Sequence, residues 1–341
     1  MTIQEMFDQA KKDIGPHCSV CKVCNGKACS GKIPGPGGKG SGAGFWHSYD
    51  KLRQVRLNMN VLYNKDREPD TRIQLFGETF DYPFFAAPVG GVQLHYSDKY
   101  NDLSYSEAII EGCILANTIG FTGDGADDAV FEGTIKAIKS SQGHGIPTIK
   151  PWTEELILKK LAMAEEAGAL AVAMDIDAGG LAFLAAQGKP VSPKSVGALK
   201  KIIAQTKLPF IIKGIMTVEA ALHAVEAGAA GIVVSNHGGR VLDETPATID
   251  VLEGIVDAVN GKLKILVDGG FRSGLDVIKA LALGADGVLI ARPYAIAVYG
   301  GGAEGVNLYT QTIGQEMKDA MTMMGVTSLS VVGGKPWCPC C

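Results

Sequence analysis

The sequence predicts an α/β fold, a parallel (β/α)8 TIM barrel preceded by a cysteine- and glycine-rich N-terminal extension. From residue 84 onward, eight short apolar runs alternate with stretches of helical periodicity. The runs are almost continuously apolar, as strands buried on both faces of a parallel sheet are. Polar residues directly follow several runs, and the catalytic groups of such barrels gather at the C-terminal ends of the strands. Eight β/α units favour a barrel over a doubly wound sheet.

The candidate strands are rich in Val, Ile, Ala and Phe. They are Phe84–Ala87, Cys113–Ala116, Thr148–Lys150, Ala171–Asp175, Phe210–Lys213, Gly231–Ser235, Lys264–Asp268 and Gly287–Ile290. The helices between them carry boundary signals: Thr217 precedes one helix that Gly228 closes, and Ser273 opens another that Gly284 closes. Phrases such as Glu-Ala-Gly-Ala recur at helix ends, which is weak internal repetition of the kind that a barrel shows.

Upstream of the barrel, the chain changes in character. Met1–Ile14 has the apolar spacing of an amphipathic helix, whereas the glycine-rich stretch from residue 31 to 44 favours no regular element. Tyr49–Asn60 is predicted to be helical, and Thr71–Tyr82 to form two short strands. We therefore predict three parts: an extension over residues 1–44, the barrel over 45–330, and a cysteine-containing tail over 331–341.

Composition narrows the classes of function. The chain has 341 residues, of which 46% are apolar, enough for the core of one large domain. Its 32 basic and 36 acidic residues give a net charge of −4, which offers no electrostatic argument for binding nucleic acid or an acidic membrane. No apolar run approaches the ~20 residues that span a bilayer, and the charged N-terminus does not resemble a signal peptide. We expect a cytoplasmic protein with a small-molecule partner.

The extension carries a cluster of thiols with the pattern C-x2-C-x2-C-x4-C, formed by Cys18, Cys21, Cys24 and Cys29. The first three have the spacing of an iron–sulfur ligand loop. The fourth ligand is Cys29 or one of Cys338, Cys340 and Cys341. Zinc also accepts four thiolates, and free thiols or a redox disulfide are the alternative without metal. A cluster near a redox cofactor would favour electron export over oxygen as acceptor.

One segment concentrates the chemistry: Ser235-Asn236-His237-Gly238-Gly239-Arg240, directly after an apolar run. His237 can transfer a proton near neutral pH. Arg240 can bind a carboxylate through two parallel N–H bonds. The two glycines allow the backbone to approach a flat ligand closely.

This segment, together with Asp268-Gly269-Gly270-Phe271-Arg272 and Ala291-Arg292-Pro293-Tyr294, resembles the FMN-dependent α-hydroxy-acid oxidase and dehydrogenase family. That family includes glycolate oxidase, lactate oxidase and mandelate dehydrogenase, and the resemblance covers roughly residues 45–330. It implies FMN as cofactor, a small 2-hydroxy acid as substrate and a homo-tetramer.

The resemblance also implies roles. His237 would be the general base, with Asp268 bonded to it as the orienting carboxylate. Arg240 would hold the substrate carboxylate. Lys213, which ends an apolar run, would neutralise the N1/O2 edge of reduced flavin. Further cofactor contacts are expected from Ala86, Ala87, Pro88, Val89, Asn117, Thr118, Ser235 and Ala291.

The FMN phosphate needs backbone N–H donors near the N-terminus of a helix. Gly269-Gly270 before the helix at Ser273 supply such donors, and Arg272 and Arg292 supply positive charge.

Two stretches depart from the family pattern. Where the family has a Gln-Leu-Tyr-like ending on its third strand, this chain has Lys150-Pro151-Trp152, so Lys150 would contact the flavin and Trp152 the substrate. A tryptophan is larger and cannot accept a hydrogen bond. After the fourth strand, Asp175-Ile176-Asp177 replaces Asp-Thr-Pro.

We predict FMN-dependent oxidation of a small (S)-2-hydroxy acid, lactate-like, to the 2-oxo acid. One alternative is a phosphate-binding barrel such as type 2 isopentenyl-diphosphate isomerase or inosinate dehydrogenase, although a diphosphate substrate has no need of the His237–Arg240 pair. The other is a low-turnover flavin or iron–sulfur electron-transfer protein, which the altered Lys150–Trp152 stretch and the thiols would suit.

Overall fold

The computed structural model describes residues 1–64, 66–181, 184, 188, 189 and 191–329, together with the backbone of residues 337 and 338. The strands are β1 Arg56–Leu57, β2 Ile73–Leu75, β3 Glu78–Phe80, β4 Phe84–Ala86, β5 Phe121–Thr122, β6 Ile146–Ile149, β7 Val172–Asp175, β8 Phe210–Ile215, β9 Gly231–Val234, β10 Lys264–Val267, β11 Gly287–Ile290 and β12 Trp337–Cys338. The α-helices are α1 Ile3–Asp13, α2 Ala43–Gln54, α3 Val92–His95, α4 Asp102–Leu115, α5 Asp128–Ser140, α6 Glu154–Glu166, α7 Val196–Ile203, α8 Val218–Ala227, α9 Thr248–Val259, α10 Gly274–Ala282 and α11 Arg292–Met324.

The predicted (β/α)8 barrel is confirmed. Eight parallel strands lie in the order β4-β11-β10-β9-β8-β7-β6-β5, and a parallel bridge between Ala86 and Gly120 joins the two ends of this order. One apolar cluster fills the barrel interior with residues from its strands, such as Phe85, Ile211 and Leu266. Leu75 and Phe80 of the β2–β3 hairpin belong to the same cluster, so the predicted pair of short strands packs against one end of the barrel.

The predicted second strand, Cys113–Ala116, is wrong. Those residues end helix α4, whose start is capped by Asn101: its side chain accepts from the Ser104 N–H. The helix is apolar on more than one face because it packs against α5 and α11 as well as against strand β4 of the barrel. The true strand, β5, has only two residues and gives almost no signal of its own.

The segments before the barrel follow the predictions in part. Helix α1 is confirmed, with Thr2 accepting from the Glu5 N–H at its start. The helix predicted at Tyr49–Asn60 lies earlier, at Ala43–Gln54, and the short strand β1 follows it. In the described part of the chain, no helix combines the length and the hydropathy that a membrane span requires.

The cysteine- and glycine-rich extension lies against the loop that follows β9. The Lys39 N–H donates to the Gly239 carbonyl oxygen (2.7 Å), and the N–H groups of Ser41 and Ala43 donate to the Asp243 carboxylate. This loop is at the C-terminal end of the barrel. The extension therefore covers the end at which catalytic groups of such folds gather. The tail residues Cys340 and Cys341, and the side chain of Cys338, lie outside the described residues.

Candidate active site

The C-terminal ends of the barrel strands surround a cavity of about 590 Å³. That volume lies within the range of roughly 300–1,000 Å³ usual for small-molecule and cofactor sites. Most of the residues predicted from the sequence line it. They are Ala87, Pro88, Val89, Lys150, Lys213, His237, Arg240, Asp268, Gly269, Gly270, Arg272, Ala291 and Arg292.

Asn117 and Thr118, predicted as flavin contacts, do not line this cavity. They precede β5 and therefore lie at the N-terminal end of the barrel. The Asn117 amide donates to the Asp81 carboxylate (2.8 Å), and the buried Thr118 hydroxyl donates to the Phe84 carbonyl oxygen (2.9 Å). The misplaced second strand caused this error.

Trp152, predicted to contact the substrate, is also turned away from the cavity. Its side chain is buried, and its indole N–H donates to Asp124 Oδ2 at 2.6 Å. Lys160 Nζ reaches the other oxygen of the same carboxylate at 2.6 Å and lies over the indole ring. Because Asp124 anchors the indole N–H, Trp152 supports the wall behind the cavity.

Ala86 and Ser235, two further predicted contacts, lie behind the residues that line the cavity. Ala86 is fully buried in the core between barrel and helices. The Ser235 hydroxyl donates to Asp268 Oδ2 (2.9 Å) and accepts from the backbone N–H of His237 (3.0 Å). Ser235 thereby fixes the start of the loop that carries His237.

The carboxylate bonded to His237 is Asp177, and the prediction of Asp268 in this place is wrong. His237 Nδ1 lies 3.0 Å from Asp177 Oδ1 and 3.6 Å from Asp175 Oδ1. Both aspartates come from the end of β7, whereas Asp268 at the end of β10 bonds to Ser235 instead. A carboxylate can only accept, so Nδ1 carries the proton and Nε2 keeps its lone pair.

A buried charge cluster lies beside His237. Lys213 Nζ lies 3.0 Å from Asp175 Oδ1 and 3.7 Å from Asp268 Oδ2, while Lys150 Nζ lies 3.5 Å from Asp175 Oδ2. Burial opposes ionisation of Asp175, but the neighbouring positive groups, His237 whenever it is protonated together with Lys213 and Lys150, outweigh burial and hold the pKa of Asp175 below its usual range. Burial likewise opposes the charge of Lys213, and the surrounding aspartates, Asp175 first, raise its pKa. Both groups of the pair are therefore charged at neutral pH.

Arg240 lies under the glycine-rich extension. Its Nη1 donates to the carbonyl oxygens of Gly35 (2.6 Å) and Gly37 (3.0 Å). Burial and the neighbouring Arg292 lower the pKa of Arg240 to about 10, which still leaves it charged at neutral pH. Among the described residues, Nε and Nη2 have no hydrogen-bond partner. They remain available for a ligand carboxylate.

The phosphate-binding elements predicted from the sequence come together around the loop before α10. Gly269 and Gly270 have φ angles of 99° and 87°, and a Cβ on Gly270 would lie 2.5 Å from the Ser48 carbonyl oxygen. Only glycine fits this turn. Arg272 and Arg292 both line the cavity here. Arg292 Nε donates to the Pro36 carbonyl oxygen at 2.7 Å.

His95 is a cavity residue that sequence reasoning missed. Its Nδ1 accepts from the Gly35 N–H at 3.1 Å, so the proton of the neutral ring is on Nε2. Burial, assisted by the charges of Arg240 and Lys150, lowers the pKa of His95 to about 3. His95 is therefore a neutral side chain of the cavity wall. No motif surrounds it, and only the fold brings it to the site.

The sequence of this chain matches a known protein family. The profile of the family described as FMN-dependent dehydrogenase matches residues 36–183 and 182–336. The chain belongs to this family. A 4-hydroxymandelate oxidase of Amycolatopsis orientalis is 31% identical in an alignment over 338 positions, gaps included, that covers 86% of this chain and 89% of the relative. A peroxisomal (S)-2-hydroxyacid oxidase of Arabidopsis thaliana is 50% identical over 127 residues, 37% of this chain and 35% of the relative.

Solved structures extend the likeness over nearly the whole chain. A crystal structure of mandelate oxidase superposes with a TM-score of 0.80 at 26% identity, covering 99% of this chain and 97% of the other. A mandelate oxidase variant with a C4a-OH-FMN adduct superposes with a TM-score of 0.78 at 28% identity, covering 97% of each chain. This protein is thus an FMN-dependent oxidoreductase of the 2-hydroxy-acid oxidase family.

The cavity fits the family's cofactor. Three buried polar atoms beside or in its wall have no partner within the described residues: Thr148 Oγ1, Asp177 Oδ2 and Asp268 Oδ1. Buried polar atoms are rarely left unpaired, so such atoms point to a polar ligand. The glycine turn with Arg272 and Arg292 suits the phosphate of FMN, and the Lys150–Lys213 side suits the polar edge of its ring.

Proposed function

We propose that this FMN-dependent oxidoreductase oxidises a small (S)-2-hydroxy acid, lactate-like, to the 2-oxo acid. The observation that carries the proposal is the pair His237 and Arg240 on one cavity. His237 has a free Nε2 lone pair, and Arg240 has free N–H groups to orient a carboxylate. The Arabidopsis relative's name, (S)-2-hydroxyacid oxidase, supports the same stereochemistry.

The side chains have distinct roles in this proposal. Arg240 binds the substrate carboxylate through Nε and Nη2, and His237 Nε2 removes the proton of the 2-hydroxyl group. The imidazolium that forms is stabilised by Asp177 at 3.0 Å and by Asp175 at 3.6 Å from Nδ1. FMN, when bound beside these residues, would supply the acceptor for the hydride of the α-carbon. Lys213, charged and buried, supplies positive charge on the cofactor side of the site.

The test is anaerobic reduction of the purified yellow protein with glycolate, both enantiomers of lactate and both enantiomers of mandelate. We expect the flavin absorbance to bleach with the (S) acids, fastest with a small one, and to persist with the (R) acids. His237→Asn should retain FMN and bleach far more slowly. Persistence with every acid would refute the substrate class and favour the alternative of a low-turnover flavin protein.

A homo-tetramer, which the family resemblance implies, and the cytoplasmic location expected from the sequence complete the proposal. Light scattering on the FMN-loaded protein should give about four times the mass of one chain, 35.8 kDa. A monomeric mass would contradict this part alone.

A further inference from the structure

The four clustered thiols of the extension line a second cavity, of about 30 Å³. Cys18, Cys21, Cys24 and Cys29 come from one short segment, and none of them forms a disulfide. Phe45 forms part of the remaining wall. The convergence of all four residues on one space is a property of the fold that the spacing alone did not fix.

We propose that this cavity binds a [4Fe–4S] cluster through Cys18, Cys21, Cys24 and Cys29. The C-x2-C-x2-C spacing of the first three is that of a ferredoxin ligand loop, and such clusters take four cysteine thiolates. Cys29, the fourth residue of the pattern, lines the same cavity, so the segment supplies a complete ligand set. The proposal concerns a second prosthetic group and does not depend on the substrate proposed above.

The spacing of the sulfur atoms favours a cluster over a single zinc ion. Four thiolates at 2.3 Å from one zinc ion in a tetrahedron lie about 3.8 Å apart. Within the described part of the chain, no three cysteine sulfur atoms lie mutually within 4.8 Å. In a cluster each thiolate binds its own iron atom, which requires wider spacing. The cavity also exceeds the ~10–15 Å³ needed for one water-sized particle, and a lone zinc ion would leave it unfilled.

Positive side chains compensate the negative charge that four thiolates would bring. Arg292 lines the thiol cavity, and its guanidinium stacks on the Phe45 ring at 3.6 Å from the centroid. Arg272 Nη2 donates to Cys24 Sγ at 3.5 Å, and its Nε donates to the Cys24 carbonyl oxygen at 2.9 Å. N–H···S bonds of this kind are among the groups that tune iron–sulfur clusters.

The proposed cluster would lie next to the FMN cavity. Pro36, Tyr96 and Arg292 line both cavities, so a single layer of residues separates them. Arg272 and Arg292 therefore lie between the FMN cavity and the thiols.

The test uses the full-length protein, purified without oxygen and reconstituted with ferrous iron and sulfide. We expect about four iron atoms and four sulfide ions per chain, and an electron paramagnetic resonance signal of a reduced cluster after dithionite treatment. Cys21→Ser and Cys24→Ser should lose most of the iron and the signal while retaining FMN. The matched control is Cys113→Ala, a cysteine buried in helix α4, which should keep both.

One zinc ion per chain without sulfide, or a chain that holds no metal after reconstitution, would overturn the proposal. Should the cysteine variants fail to fold, the iron, the sulfide and the resonance signal of the unaltered protein still decide. Bleaching by hydroxy acids is recorded on the same preparation. A chain that holds the cluster but is not bleached refutes only the substrate, whereas a bleached chain without iron refutes only the cluster.

Discussion

Replacing Asp177 by Asn tests how the proposed general base, His237, is oriented. The substitution keeps the shape of the side chain and removes the charge that lies 3.0 Å from His237 Nδ1. A hydrogen bond to a charged group contributes about 1.5–3 kcal/mol, and 1.36 kcal/mol corresponds to a factor of ten in rate. Because proton transfer makes the imidazole cationic, most of this interaction develops in the transition state. Asp175, at 3.6 Å, retains a part of it. We expect a loss of about tenfold to a hundredfold in kcat/KM.

The assay is the rate of anaerobic flavin reduction at saturating and at limiting substrate, normalised to bound FMN. Asp257→Asn, which removes the same charge from an exposed position on helix α9, is the control and should react at the rate of the unaltered protein. Asp268→Asn distinguishes the partner of His237 seen in the structure, Asp177, from the partner predicted from the sequence, Asp268. Since Asp268 contacts Ser235 and not His237, it should slow the reaction less than Asp177→Asn. A larger effect of Asp268→Asn at equal FMN content would refute the reasoning.

Two further predictions concern Arg240 and His95, which both line the cavity. Arg240→Lys should raise KM for the hydroxy acid by about tenfold or more, because a lysine cannot replace a planar guanidinium in two parallel hydrogen bonds; an unchanged KM in steady-state kinetics would contradict the assigned carboxylate site. His95 has a pKa of about 3 in the folded chain against 6.5 as its ordinary value. Between about pH 6.5 and pH 3, His95 is therefore protonated in the unfolded chain but not in the folded chain. Stability should fall by about 2 kcal/mol from pH 7 to pH 5, and His95→Gln should flatten that decline in urea unfolding.

The barrel could be predicted because its strands are buried on both faces and leave uninterrupted apolar runs. Seven of the eight predicted strands overlap strands of the structure. The exception, β5, is two residues long, and helix α4 before it is apolar enough to imitate a strand. This single error also misplaced the expected flavin contacts Asn117 and Thr118. They were predicted because they follow the supposed strand, and in the structure they precede β5 instead.

The site was predictable where its residues are contiguous in sequence. The segment from Ser235 to Arg240 carries its chemistry in consecutive residues, so residue types alone indicate a base and a carboxylate-binding group. The partners of these groups come from elsewhere: Asp177 lies 60 residues before His237, and Gly35 lies 205 residues before Arg240. Asp175 at the end of β7 and Asp177 just after it both lie near the imidazole, and only the three-dimensional arrangement shows that Asp177 is the nearer one.

The N-terminal extension carries the four clustered thiols and also contacts arginines that line the FMN cavity. The family match begins at residue 36, so the thiol-bearing segment precedes the part of the chain that the family profile describes. Yet the extension binds the guanidinium groups of Arg240, Arg272 and Arg292 through its backbone carbonyl oxygens. In the proposed function those side chains bind the substrate carboxylate and the phosphate of FMN. A change in the extension, including loss of the proposed cluster, would therefore act directly on these arginines. Differences in substrate or electron acceptor between this chain and its relatives should be sought there first.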